Sequence, residues 1–294
     1  MKVTNVHKLP EAFVNFGKAN EYSHGNADMG VTTLIGSSQI RRLRASNAEE
    51  MVEDVSERIM SLLGTAIHNI LEAGSSYEDI VEERLYGELL GTTFSGQVDL
   101  RSPVGGDGWR LSDYKTCAAF SIKKNPEGKP EWEKQLNVYR LLAEFNGHHI
   151  KELEVVAIIR DWTRAAAERA YDYPQAAVVR IPVVMWEVDD TINFVENKIR
   201  EHTSEEATLC TGEEMWESDP VFAVHKYLKN GTVASRASKL CDDELEAIDI
   251  VSDMGGGGVA VVQTRPGRRA RCEGNYCGVS EFCEQYATYQ RGGR

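Results

Sequence analysis

The sequence predicts an α/β protein, a mixed central β-sheet flanked by helices, with a cysteine-containing C-terminal appendage. Three observations predict it. Apolar residues recur at helical spacing from Met51 to Ile70, and three strand-like runs follow between residues 80 and 116. A second helical stretch leads into two more strand-like runs and a third helix, the order of a sheet covered by helices. Past residue 204 the segments shorten, and Cys272, Cys277 and Cys283 crowd within twelve residues.

In chain order, residues 1–45 carry no strong period and read as an irregular N-terminal arm with one short helix after GVTTLIGSS. Ser46 and Glu49 have the spacing of a capping box, and Met51, Val55, Ile59, Leu62, Leu63, Ala66, Ile67 and Ile70 continue a helical stripe to a stop at Gly74. Gly64 inside that stripe costs about 1 kcal/mol of helix stability relative to alanine, but allows close backbone approach.

IVEERLYGELLG and TTFSGQVDL read as strands joined through Gly91, and GWRLSDYKT follows the turn-rich SPVGGDG. A helix over 131–146, strands ELEVVAIIRD and QAAVVRIPVV, and a helix over 187–204 complete a core predicted at 46–204. Residues 205–294 are expected to form an appendage packed on that core, with a helix around 242–254 and a flexible tetraglycine at 255–258. No internal repeat is visible.

At 294 residues and 41% hydrophobic content the chain can bury a substantial core. It has no apolar run of membrane-spanning length, and its start lacks the apolar centre of a signal peptide, so an unexported protein of the cytosol is expected. A formal net charge of -13 argues against coating nucleic acid by bulk electrostatics. Local basic grooves remain open, because QIRRLR, HKYLKNG and RPGRRAR gather positive charge, although each also reads as solvated surface.

In a strand, alternate side chains share a face, so Trp109, Leu111, Asp113 and Lys115 fall on one, with an acid beside a base. Asp99 lies in the preceding strand and can meet Asp113 if the two strands pair. Two converging carboxylates repel unless one binds a proton or a cation compensates, and magnesium favours such oxygen ligands. Lys115 could then orient the attacking water and offset developing charge. A structural Asp–Lys pair is the alternative reading of these residues alone. His68 lies in the apolar helix, and Gln135 and Tyr139 share a face of the later helix with Trp132, Leu136 and Leu142; either feature also reads as ordinary core hydrogen bonding.

GTAIHNILE, GQVDL, DYKT and QLNVY, in this order, resemble the RecB-type exonuclease branch of the PD-(D/E)XK nuclease superfamily, over about residues 50–160. The C-terminal YCGVSEFC is similar to phage-encoded members of that superfamily, and a phage or bacterial origin is expected on this ground. The resemblance implies a restriction-endonuclease-like core that cuts phosphodiester bonds with magnesium or manganese. By position, His68, Asp99, Asp113 and the Tyr114 carbonyl would be metal ligands, with Asp99, Asp113 and Lys115 the catalytic set. Gln135 and Tyr139 would place the DNA strand or support the site, and Glu83 would be a supporting acid, with Glu82 adjacent to it.

The cysteine tail, Cys272-x4-Cys277-x5-Cys283, offers three soft ligands, and a fourth is needed for a tetrahedral zinc site or a [4Fe-4S] cluster. Cys210 is the candidate fourth ligand, with Cys241 second and Cys117 read as a packed thiol. Relatives with an iron-sulfur cluster carry one cysteine upstream of the nuclease core and a shorter first gap, and this chain departs from both. The resemblance favours iron-sulfur over zinc.

The expected function is a divalent-metal-dependent deoxyribonuclease, an exonuclease acting on DNA with single-stranded ends in recombination, replication or repair. Trp132, Tyr139, Trp162 and Tyr227 are candidate stacking residues for such a strand. The alternatives are a catalytically silent nuclease-fold DNA-binding protein and a metal-cluster assembly protein.

Overall fold

The computed structural model describes residues 2–19, 23–206 and 208–292. The chain divides into two units, Met1–Arg41 with Ala48–Ala207 and Arg42–Asn47 with Thr208–Arg294. Strand β1 (Lys2–Thr4), helix α1 (Glu11–Ala19), strand β2 (Met29–Gly30) and helices α2 (Val31–Leu34) and α3 (Ser38–Ser46) come first. Strand β3 (Val52–Asp54) and helix α4 (Ile59–Ala73) follow, then β4 (Ile80–Leu89), β5 (Thr92–Pro103) and β6 (Gly108–Cys117). The first unit closes with α5 (Ala119–Lys124), α6 (Pro130–Phe145), β7 (His149–Ile159), α7 (Arg164–Arg169), β8 (Val178–Val183) and α8 (Val188–Thr203).

These strands build a mixed six-stranded sheet in the order β2-β5-β6-β7-β8, with β4 on the other edge of β5. Leu90 and Gly91, with φ of 52° and 72°, form the tight left-handed turn that folds β4 back antiparallel onto β5. Strand β6 runs antiparallel to β5 and parallel to β7, and β8 returns antiparallel. Helix α6 starts on Pro130 with Glu131 and Glu133 in its first turn, which suits its N-terminal dipole, and stops at Asn146. Its Trp132, Leu136, Tyr139 and Leu142 are buried with Phe94, Val98, Leu111 and Val155 of the sheet, and Val195 and Ile199 of α8 join the same core. This is the predicted α/β class, a mixed sheet flanked by helices.

The N-terminal 45 residues are far more regular than expected. β1 pairs in parallel with β3, and β2 joins the main sheet at Phe94 and Ser95. Strands of two or three residues show no period in sequence; their partners lie far along the chain. The predicted capping box at Ser46 and Glu49 does not start a helix, because residues 52–54 are taken up by pairing with β1. Asp54 instead accepts the Ser56 N–H and caps a 3-10 turn, so α4 begins only at Ile59. None of its residues is fully buried, and Ile70 is 70% exposed. Gly64 serves no close approach, since a Cβ there would meet only Thr116 Oγ1, at 4.0 Å.

In the second unit β9 (Val221–Lys226) lies between β10 (Lys239–Cys241) and β11 (Ala260–Arg265), antiparallel to both. Helix α9 (Glu244–Asp253) covers one face, burying Val224, Cys241, Ala247 and Ala260 beside Ile250 and Met254. Gly255 and Gly256, at φ of 110° and 83°, turn the chain from α9 into β11. Helices α10 (Ala270–Glu273) and α11 (Glu284–Gly292) follow. No helix among the described residues is long and apolar enough to cross a membrane.

Candidate metal centre

The site forms where β5 and β6 part. Their ladder runs from Pro103 opposite Trp109 to Leu100 opposite Ser112 and, among the described residues, goes no further. Beyond it a side chain replaces the main chain: Asp99 Oδ2 accepts the Tyr114 N–H at 2.7 Å. The gap leaves Asp99 and Asp113, both buried, close enough to repel each other.

Helix α4 brings His68 to this gap. Its Nδ1 stands 3.5 Å from Glu82 Oε1 and 3.6 Å from Asp99 Oδ1, and its Nε2 lies 3.3 Å from the Tyr114 carbonyl oxygen. Gln97 Nε2 donates to Glu82 Oε2 at 2.8 Å while Arg84 Nη2 donates to Gln97 Oε1 at 2.7 Å, so two side chains fix the Glu82 carboxylate. From α6, Gln135 Nε2 donates to Asp113 Oδ1 at 3.3 Å and to the Tyr139 hydroxyl at 2.8 Å. The Tyr139 ring lies against Gly96, where a Cβ would come within 2.5 Å of it. Lys115 Nζ sits 2.6 Å from Asp113 Oδ2, an ion pair without a directed hydrogen bond.

The electrostatics are those of an acidic site short of positive charge. Burial and the neighbouring Asp113 push the Asp99 carboxyl up to about 7, against the opposing pull of His68, Lys115 and the Tyr114 N–H. The Tyr114 phenol is pushed up by its own burial and by the field of Asp99, Asp79, Glu154 and Glu82. One ligand atom each from His68, Glu82 and Asp99 can be chosen so that all lie within 4.8 Å of one another. A nitrogen and two carboxylate oxygens beside the buried Asp113 fit a hard divalent cation, and the Tyr114 carbonyl lies at the other nitrogen of the same imidazole.

Of the residues singled out in sequence, His68, Asp99, Tyr114, Asp113, Lys115, Gln135 and Tyr139 come together here. Glu83 does not. It forms an ion pair with Arg101, which is fully buried beside Trp109. Glu82 stands at the gap in its place, with Arg84 and Gln97 behind it, and none of these three was singled out as the supporting group. Glu82 has a φ of 50°, uncommon for a non-glycine residue. The β4–β5 register nevertheless runs unshifted across it, with Val81 opposite Leu100 and Glu83 opposite Val98, so Glu82 falls opposite Asp99, a relationship visible only once the two strands are paired. Of the aromatic candidates, Trp132 and Tyr139 are core residues and offer no stacking face, and Trp162 Nε1 donates to the Pro174 carbonyl.

In the second unit, burial pushes the Cys272 thiol up to about 11, and Cys277, Cys210 and Cys283 add to the shift, which places the four in one neighbourhood. Cys210 is held at its backbone by Gln285, whose amide donates to the Cys210 carbonyl and accepts its N–H. Arg44 donates to the Cys277 carbonyl at 2.9 Å. Cys241 packs under α9 instead, and Cys117 is buried in the first unit.

No family model matches this sequence. No curated protein matches it either. Among solved structures, the crystal structure of SSO0001 is 14% identical and the match covers 66% of this chain and 84% of that one, with a TM-score of 0.44. The alkaline exonuclease LHK-Exo from Laribacter hongkongensis is 15% identical over 60% of this chain and 88% of its own, with a TM-score of 0.36. LHK-Exo in complex with dAMP matches at 16% identity, over 60% and 86%, with a TM-score of 0.35.

Proposed function

We propose that the first unit is a divalent-cation-dependent deoxyribonuclease, an exonuclease acting on DNA with single-stranded ends. The observation that carries the reading is the gap between β5 and β6, where His68, Glu82 and Asp99 form a cation-sized group beside the Asp113–Lys115 pair. The order of the motifs around these residues, resembling RecB-type nucleases, supports it.

His68, Glu82, Asp99 and the Tyr114 carbonyl would hold magnesium or manganese, with Asp113 at its border. Such an ion supplies Lewis-acid polarisation of a phosphoryl oxygen. The Lys115 ammonium, held by Asp113, orients the attacking water and offsets negative charge as the P–O bond breaks. Gln135 fixes the Asp113 carboxylate, and Tyr139 fixes Gln135, so α6 sets the direction of the catalytic pair. In the second unit, Cys210, Cys272, Cys277 and Cys283 would hold a [4Fe-4S] cluster, with zinc the alternative.

The test is digestion of end-labelled single-stranded, duplex and closed circular DNA with magnesium or manganese, comparing the wild type with Asp113→Ala and Lys115→Ala. The expected result is cleavage that spares circles and falls by at least about 10²-fold in both variants. A folded, metal-replete wild type that leaves every substrate intact would favour the catalytically silent DNA-binding reading. A function lost in Cys277→Ala but kept in Asp113→Ala would favour the assembly reading.

A further inference from the structure

The three-stranded sheet of the second unit has α9 on only one face. On the other, alternation places Val221, Ala223 and His225 of β9 beside Val261, Gln263 and Arg265 of β11. Arg265 pairs with Val221, two cross-strand pairs away from His225, yet its guanidinium Nη2 reaches His225 Nε2 at 3.3 Å. The long side chain therefore lies back along the sheet, over the position where β9 carries the small Ala223.

His225 is only 3% exposed, and its Nδ1 lies 2.7 Å from the Ala234 carbonyl oxygen. A carbonyl can only accept, so Nδ1 carries the hydrogen, and a guanidinium can only donate, so Nε2 receives from Arg265. The imidazole in this arrangement is neutral. It fixes one edge of the guanidinium without cancelling its charge, which a carboxylate in the same place would do.

Arg265 also lines a cavity of about 570 Å³, together with Ser235, Arg236, Ser238 and Lys239 among others, none of them acidic. Lys239 is paired with Glu246 at 2.7 Å, but among the described residues neither Arg236 nor Arg265 pairs with a carboxylate. Two arginines without a carboxylate partner and two hydroxyls thus share one cavity on a chain of net charge -13.

We infer that this cavity binds a phosphate group, with Arg265, oriented by His225, and Arg236 as the charged donors and Ser235 and Ser238 as hydroxyl donors. Planar guanidinium forks match phosphate oxygens in pairs, and a fork fixed in advance loses less entropy on binding. The phosphate can be presented by a nucleic-acid strand or by a free mononucleotide. The site belongs wholly to the second unit, and nothing in it depends on the cleavage proposed for the first.

The test uses the full chain without added divalent cation. Binding of a labelled single-stranded oligonucleotide is followed by fluorescence anisotropy across a salt series, and stabilisation by inorganic phosphate and by a nucleoside monophosphate is followed by thermal shift. Arg265→Gln and Arg236→Gln are compared with Lys229→Gln, an equal charge loss on the exposed chain outside the cavity lining, with folding checked by circular dichroism.

If a strand supplies the phosphate, each arginine variant weakens oligonucleotide binding about tenfold and lowers the log–log salt slope by about one, while Lys229→Gln does neither. If a free nucleotide supplies it, the arginine variants lose phosphate and nucleotide stabilisation with oligonucleotide binding unchanged. Arginine variants that match Lys229→Gln in every measurement would overturn the assignment, whatever the cleavage assays show.

Discussion

The Tyr114 backbone N–H is bound by the side chain of Asp99, 2.7 Å away, at the point where the β5–β6 ladder stops. One carboxylate oxygen thus does the work of a missing backbone carbonyl, and the other, Oδ1, faces His68 at 3.6 Å. The same residue ties the strands together and lines the candidate metal centre, so its protonation bears on stability.

Asp99 is pushed up to about 7, first by burial and then by Asp113. The folded chain keeps a proton that the unfolded chain gives up near pH 4, so unfolding between about pH 4 and pH 7 releases a proton and stability falls as pH rises. A cation replaces that proton. Metal-free wild type is expected to lose melting temperature across this window relative to Asp99→Asn. Magnesium or manganese should stabilise the wild type more at pH 8 than at pH 5. Parallel pH profiles for the two proteins, followed by thermal unfolding, would refute the assignment.

Glu82 and Glu83 are neighbours with separate tasks. Glu82→Gln removes one of the three clustered ligands and should weaken divalent-ion binding about tenfold or more, measured by calorimetry, with little change in metal-free stability. Glu83→Gln leaves the buried Arg101 guanidinium without its ion pair and should cost about 2 kcal/mol or more in denaturant unfolding, while the metal affinity holds. The opposite pattern would mean that Glu83 is the supporting acid after all.

Two glycines separate packing from propensity. A methyl at Gly96 would press within 2.5 Å of the Tyr139 ring, which is buried and bonded to Gln135, so Gly96→Ala should destabilise by about 1–3 kcal/mol and reduce activity through a displaced Gln135. A methyl at Gly64 meets only Thr116 Oγ1 at 4.0 Å, so Gly64→Ala should raise stability by about 0.5–1 kcal/mol. Equal effects of the two substitutions on unfolding would contradict this account.

The hairpin at Leu90 and Gly91, the strands around Asp99 and Asp113, and α6 were legible because period, turn chemistry and motif agree there. The boundary of α4 was not, since its apolar stripe runs on through Met51 and Val55 while pairing with β1 claims the segment between them. Choosing between Glu82 and Glu83 depends on the register of β4 on β5, which sets Glu82 opposite Asp99 and Glu83 opposite Val98. The His225–Arg265 contact was equally hidden: it needs β9 and β11 side by side, and they are separated by β10, α9 and a glycine turn.

The cysteines offer a direct contrast. Cys272 is pushed up to about 11 by burial together with Cys277, Cys210 and Cys283, so without a cofactor it stays a protonated thiol. A positively charged centre would reverse that balance, because thiolates are the ligands and each neighbouring sulfur then becomes an asset. Cys241 has no such company; it fills the space beneath α9. In protein purified without oxygen, Cys272→Ser should therefore lose iron and sulfide, or zinc if that is the bound metal. Cys241→Ser should keep the cofactor and lose only about 1–2 kcal/mol from burying a hydroxyl. Equal metal and sulfide content in the two variants and the wild type would remove Cys272 from the ligand set, and with it the reason for these four residues to gather.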